Sequence, residues 1–251
     1  MWPVERNTLR VPRIHTLQAL SQGLPLTLDE ASSHHVRQVL RLRMGDPLIL
    51  FTPQGEEYAA RLTQVSKQAV QADVGEQLRN EPAPTLGIHL MLGISRGERM
   101  DFALQKATEL GVTRITPLLT QRCVVKLDEK KRSSRMDHWH KVVIHACEQS
   151  GRCRVPQFDA PLELSEALGE RLPGCALLLD HRSVKTLADL SKPEGSVSLL
   201  IGPEGGLAPE EREQACSLGF QGVRLGPRVL RTETAPLAAI AAIQALWGDF
   251  C

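Results

Sequence analysis

The chain has 251 residues, 42% of them hydrophobic and 24% charged, and a formal net charge of +1. These values describe one or two folded domains, exclude intrinsic disorder, and exclude a whole-chain electrostatic case for nucleic acid. No apolar run reaches the roughly 20 residues of a membrane helix, and Met1 to Leu20 lacks the apolar stretch of a signal peptide, so a cytoplasmic protein is expected.

In chain order, Asp29 to Arg43 reads as a helix that places Arg37 and Arg41 one turn apart on one face. Short alternating runs follow at Pro47 to Phe51, Tyr58 to Leu62 and Ala69 to Val74. Turn signals at Met44 to Asp46 and Pro53 to Gly55 separate them, and the pattern predicts a small β-barrel or sandwich. The double-proline stretch Asn80 to Thr85 reads as a linker between domains at 1–80 and 81–251.

Beyond it the rhythm changes to strand then helix. Strands are expected at Leu86 to Ile94, Val112 to Leu119, Cys175 to Leu179, Ser196 to Ile201 and Gly222 to Leu225. Helices are expected at Glu98 to Leu110, at Met136 to Ser150 and from near Pro209. Unbroken apolar strands alternating with helices predict a parallel sheet covered on both faces. The last helix, Ala235 to Trp247, has no charged residue; Thr234 is its expected N-cap, and Pro236 suits its first turn. Such a helix must be buried on most sides, and its alanines let another backbone approach, within the domain or across a subunit interface.

Gly93-Ile-Ser-Arg-Gly97 fits the G-x-S-x-G pattern of a nucleophile elbow. The rest of a serine hydrolase is missing, since no HGGG-type loop exists and the last histidine, His181, directly follows Asp180. No P-loop or Rossmann glycine pattern is present. The six cysteines form no C-x-x-C pair, and reduced thiols with no metal site are expected. Two segments stand out. Leu199 to Glu211 runs from an apolar strand into a turn of three glycines, where backbone can approach a ligand, although an ordinary βα turn has the same composition. Leu225 to Ala235 carries Arg228, Arg231 and Glu233 between apolar elements, where burial can perturb ionisable groups.

Together, Leu-Leu-Ile-Gly-Pro-Glu-Gly-Gly at 199–206 and Leu-Gly-Pro-Arg-Val-Leu-Arg-Thr-Glu-Thr-Ala at 225–235 resemble the SPOUT class of methyltransferases. They resemble in particular the RsmE family, which methylates N3 of a uridine in 16S ribosomal RNA. Further matches are Val39 to Asp46, Ser95 to Met100, Gln105 to Val112 and Ala146 to Arg152. The N-terminal part resembles that family's PUA-like RNA-binding barrel.

The resemblance implies an α/β fold, a SPOUT-type parallel sheet with a C-terminal trefoil knot, preceded by a small PUA-like β-barrel domain. It also implies a homodimer through the last helix, S-adenosylmethionine as cofactor and the small ribosomal subunit as partner, with no membrane and no metal. The cofactor is then expected, bent, against Leu179, Asp180, Ile201, Gly202, Pro203, Glu204, Gly205, Leu225, Gly226, Leu230, Arg231, Thr232, Thr234 and Ala235. Uracil N3 carries a proton at neutral pH, so the site must favour the anionic base. Arg231 is expected to stabilise charge on a uracil oxygen, with Glu233 the first candidate for proton acceptor and Glu204 the second. Arg152 is expected to bind the target nucleotide or its phosphate, or else to be a helix-end cation. RNA docking is expected from Arg10, Arg13, Arg37, Arg41 and Arg43. A second patch, Lys126, Lys130, Lys131, Arg132 and Arg135, reads equally as a solvated charged loop. A serine hydrolase built on Ser95 and a non-catalytic RNA-binding factor are the competing classes.

Overall fold

The computed structural model describes residues 11–125, 129–170 and 172–250, without the side chains of 129–131. Arg10, Lys126, Lys130 and Lys131 therefore lie outside the described residues or side chains. The chain divides into two compact units: one runs through Ala83 and takes in Cys147–Val155, and the other holds Pro84–Ala146 and Pro156–Cys251. No described helix is long and apolar enough to cross a membrane.

The first unit contains β1 (Arg13–His15), β2 (Pro25–Thr27), α1 (Glu30–His34), β3 (Pro47–Phe51), β4 (Glu56–Val65) and β5 (Val70–Asn80). They form one sheet in the order β1-β3-β4-β5-β2, antiparallel except for β1 beside β3. Alternating inward residues such as Tyr58, Ala60 and Leu62 on β4 and Val70, Ala72 and Val74 on β5 build its core, together with Ile14, Leu50 and Val36.

The expected helix from Asp29 to Arg43 is much shorter. Asp29 caps α1 by accepting from the Ser32 amide at 2.9 Å, and a wider π turn continues it only through Val39. Arg41 then adopts a left-handed conformation with φ of 53°, and the Leu42 amide closes back on the Val36 carbonyl at 3.0 Å. Arg37 and Arg41 therefore do not share a helix face.

A buried charge cluster ties the Cys147–Val155 segment into this unit. Glu57, only 5% exposed, pairs with Arg13 at 2.7 Å and with Arg79, and accepts from Cys153 Sγ at 3.0 Å. Burial alone would raise the Glu57 carboxyl, but the bonds from Cys153, Arg13 and Arg79 outweigh it and hold the group below its usual value. Arg13 also donates to the Arg152 carbonyl at 3.1 Å and lies 4.8 Å from the centre of the Phe51 ring.

The second unit contains β6 (Gly87–Gly93), α2 (Glu98–Glu109), β7 (Arg114–Leu119), α3 (Glu129–Ser150, its last turn counted with the first unit), β8 (Gln157–Phe158), β9 (Leu162–Glu163), α4 (Leu164–Gly169), β10 (Cys175–Leu179), β11 (Ser196–Ile201), α5 (Pro209–Ser217), β12 (Gln221–Val223) and α6 (Thr234–Trp247). Its sheet is parallel throughout, in the order β12-β10-β11-β6-β7-β8, with β9 also pairing β7. The apolar strands are buried, as a sheet covered on both faces requires. The N-terminus of α5 is set by buried Glu211, which accepts from the amides of Ala208 and Gln121, both at 2.8 Å. Helix α6 packs on α2, with Gln244 donating to the Leu110 carbonyl at 3.0 Å. Thr234 is the first helical residue of α6 rather than its cap; Glu233 precedes it, and no side chain caps that end.

Candidate active site

Open parallel sheets bind ligands beyond the carboxyl ends of their strands. In this sheet a cleft of about 660 Å³ lies there, bounded by the residues after β10, the glycine turn after β11 and the loop between β12 and α6. Twelve of the fourteen residues expected to hold the cofactor line it: Leu179, Asp180, Ile201 through Gly205, Leu225, Leu230, Arg231, Thr232 and Ala235. Gly226, in that loop, and Thr234, at the start of α6, do not line the cleft.

The glycine turn is tight for a backbone reason. A Cβ at Gly202 would lie 2.8 Å from the Leu207 nitrogen and 2.9 Å from the Gly206 carbonyl carbon. Thr232 links the loop before α6 to this turn, its hydroxyl donating to the Gly202 carbonyl at 3.4 Å. The amides of Thr234 and Ala235 both return to the Arg231 carbonyl at 2.9 Å.

Charge is unevenly spread around the cleft. Asp180 accepts from the Arg182 amide and guanidinium and from Arg212 at 3.0 Å. Burial would raise its carboxyl, but these bonds keep it below the ordinary aspartate value. Glu204 accepts from the Arg96 amide at 3.0 Å and from Arg99 at 3.4 Å. Burial raises this group too, and the amides of Arg96 and Glu204 itself, with Arg99, overcome it and lower its pKa. A carboxylate so firmly ionised and engaged is a poor proton acceptor, so Glu204 loses ground as a base. Glu233 differs. Its Oε1 lies 3.9 Å from Arg231 Nη1, and its Oε2 is buried without a hydrogen-bond partner among the described residues. Arg231 itself is 81% exposed at its side chain.

The cleft suits a zwitterionic adenosyl ligand. Leu178, Leu179 and Leu230 offer apolar wall, the turn glycines offer backbone edges, and arginines stand beside carboxylates. The orphaned Glu233 oxygen is a buried acceptor that a bound group can satisfy.

Other expected residues fall elsewhere. Arg152 is half-buried in the first unit and does not line the cleft. Arg13 is turned inward to Glu57, and Arg37 donates to the carbonyls of Ser33, Ser66 and Lys67, so neither presents a free guanidinium to RNA. Arg41 and Arg43 are exposed; Arg132 and Arg135 are half-buried on α3. Ser95 is buried, and among the described residues its hydroxyl bonds only to the Met100 sulfur at 4.0 Å, so no base stands beside it. Sequence reading missed Arg99, Arg122, Arg182 and Arg212 in the cleft. They are single arginines, Arg99 in the first turn of α2, Arg212 in α5, and Arg122 and Arg182 on loops, with no spacing that groups them.

Known proteins place the chain in a family. The family model of the RNA methyltransferase domain matches residues 81–244, and that of the RNA methyltransferase PUA domain matches 28–75. Ribosomal RNA small subunit methyltransferase E of Buchnera aphidicola (strain APS) is 31% identical over 96% of both chains. The Bacillus subtilis protein of that name is 32% identical over 91% of this chain and 93% of its own. The Neisseria gonorrhoeae protein of that name, solved with bound S-adenosylmethionine, superposes with a TM-score of 0.89 at 40% identity, covering 96% of this chain and all of its own. A methyltransferase of Legionella pneumophila solved with the same cofactor reaches 0.93 at 39% identity and the same coverage. This chain belongs to the RNA methyltransferase family whose members include ribosomal RNA small subunit methyltransferase E.

Proposed function

We propose that this chain methylates N3 of a uridine in 16S ribosomal RNA, working in the cytoplasm as a homodimer on the small ribosomal subunit. The observation that carries this reading is Glu233, whose partnerless buried oxygen sits beside an exposed arginine in the cofactor cleft. S-adenosylmethionine, when bound, supplies a methyl group already activated on a sulfonium. The chain's own work is then to hold the uracil in line and remove its N3 proton. Glu233 accepts that proton through its free oxygen, and Arg231 meets the negative charge left on a uracil carbonyl oxygen. Glu204 serves as a strut for Arg99 instead of a second base.

The same reading includes the trefoil knot that the family resemblance implies, supported by the Thr232 bond that draws the loop after β12 to the turn after β11. It also includes dimerisation through the outer face of α6, where Ala238, Ala241, Ala242, Ala245 and Leu246 remain at least partly exposed. Mass spectrometry of ribosomal RNA nucleosides is the test. Cells lacking the protein should lose 3-methyluridine from 16S RNA and regain it with the gene; an unchanged level overturns the assignment to N3 of uridine.

A further inference from the structure

We propose that a second rim of the cleft, formed by Arg99 and Arg122 with Arg96 beside it, holds a backbone phosphate of the RNA next to the target nucleotide. The inference rests on reading the cleft as an RNA methylation site. Arg96 and Arg99 flank the start of α2, directly after β6, and Arg122 follows β7. Because β11, β6 and β7 are neighbours in the sheet, these arginines come together at the glycine turn after β11.

Of the three guanidinium groups only that of Arg99 engages a carboxylate among the described residues, Glu204. Arg99 donates to it at 3.4 Å and is 51% exposed, so much of its fork still faces solvent. Arg96 engages it through the backbone amide alone, and its exposed side chain has no partner among the described residues. Arg122, also exposed, donates one N–H to the Gly205 carbonyl at 3.1 Å and pairs with no carboxylate among the described residues. The rim therefore keeps surplus positive charge and spare planar donors, the chemistry that fits a phosphodiester. A cleft wall with a net positive charge also focuses the field on an approaching polyanion. The first unit supplies less of this charge than its arginine count suggests, because Arg13 and Arg37 are bound to protein acceptors.

The other anion these arginines could serve is the carboxylate of the cofactor, and one experiment separates the two. Full-length Arg96→Ala, Arg122→Ala and the double variant are compared with wild type in three measurements. These are S-adenosylhomocysteine affinity by calorimetry, affinity for unmodified 16S RNA transcript over a salt series, and single-turnover methylation. A phosphate site leaves S-adenosylhomocysteine affinity within about twofold, weakens RNA binding roughly fivefold per arginine, and lowers the salt slope by about 1 for each. Arg122→Lys should restore the slope, since the charge returns. A fall in S-adenosylhomocysteine affinity with RNA affinity intact assigns the rim to the cofactor and overturns the proposal, as do variants that match wild type throughout. Wild-type protein that methylates neither transcript nor assembled small subunits overturns the methylation reading together with this one. Active wild type with unaltered variants removes this inference alone.

Discussion

The Glu233 carboxylate lies 3.9 Å from the Arg231 guanidinium, and the glutamate is largely buried while the arginine is exposed. A pair of this kind can do chemistry because each partner keeps capacity for a third group. Arg231→Ala should slow single-turnover methylation by roughly 10²–10³-fold, the usual loss for one group aimed at developing charge, with S-adenosylhomocysteine affinity barely changed. Glu233→Gln should slow the same step, and raising the pH should recover part of it as uracil ionises unaided. Equal losses of thermal stability with no selective loss of rate would make the pair structural.

Gly202 leaves no room for a side chain. Gly202→Ala brings a methyl group against the Leu207 nitrogen, so the turn after β11 must move. S-adenosylhomocysteine affinity should fall by at least about tenfold, roughly 1.4 kcal/mol, with the fold retained by circular dichroism. Unchanged affinity would remove this turn from the cofactor site.

The two kinds of arginine in the first unit should separate cleanly. Arg13→Ala leaves Glu57 buried with fewer donors and should cost about 3 kcal/mol in urea unfolding. Arg43→Ala should leave stability unchanged, because the side chain is exposed and bonds to no other group among the described residues, while lowering RNA affinity at low salt. A destabilised Arg43 variant or a fully stable Arg13 variant would contradict the assignment.

His89 should make the second unit acid-sensitive. Burial, with the nearby Arg114 charge, pushes its imidazole down to about 4, while Asp159 works in the other direction. Thr116 gives its one proton to Asp159, so His89 Nε2, 2.7 Å from the same hydroxyl oxygen, must carry a proton to donate. The unfolded chain protonates its histidine near 6.5 and the folded chain near 4, so between those values the unfolded state holds more protons. Stability is therefore complete above about pH 6.5 and falls on acidification, by about 2 kcal/mol at pH 5. His89→Gln should flatten this slope in urea titrations at pH 7 and 5; an identical slope would assign the acid sensitivity elsewhere.

Helix α6 offers Ala241 and Ala242 on its outward side, each half-buried in the single chain. A Glu at either position should convert a dimer to monomers or aggregates in light scattering, with activity lost, because it buries an unpaired charge. A fully active monomer would sink the dimer.

Much of this molecule is legible in its residue pattern, and the failures have physical causes. Strands β10 and β11 match their expected runs residue for residue, since each is dominated by buried apolar residues and carries no charge. Helix α3 begins at Glu129, ahead of the expected Met136, because a charged, solvent-facing turn has the composition of a loop. The helix carrying Arg37 fails for another reason. Nothing in Val39 to Arg43 announces that a non-glycine residue will turn left-handed, an outcome tertiary packing imposes on local preference. The cleft was readable where one contiguous segment builds it, at 201–205 and 225–235. Arg99 and Arg122 were not, because sheet order, not chain order, brings them to the turn after β11.

The first unit needs a piece of chain that comes much later. Glu57 receives Cys153 from 96 residues downstream, and Phe51 packs on Cys147 and Cys153. During synthesis the N-terminal strands, with Arg13 and Arg79 already paired to Glu57, therefore emerge long before the thiol donor and the segment that cover them. The ribosome-bound chain must carry a buried-type carboxylate without its full set of donors until residue 155 appears. Closure of so long a loop makes completion of this unit a late event in folding. A fragment ending at Ala83 is consequently an incomplete domain, with Phe51 uncovered and Glu57 short of one donor where the whole protein has a sealed interior.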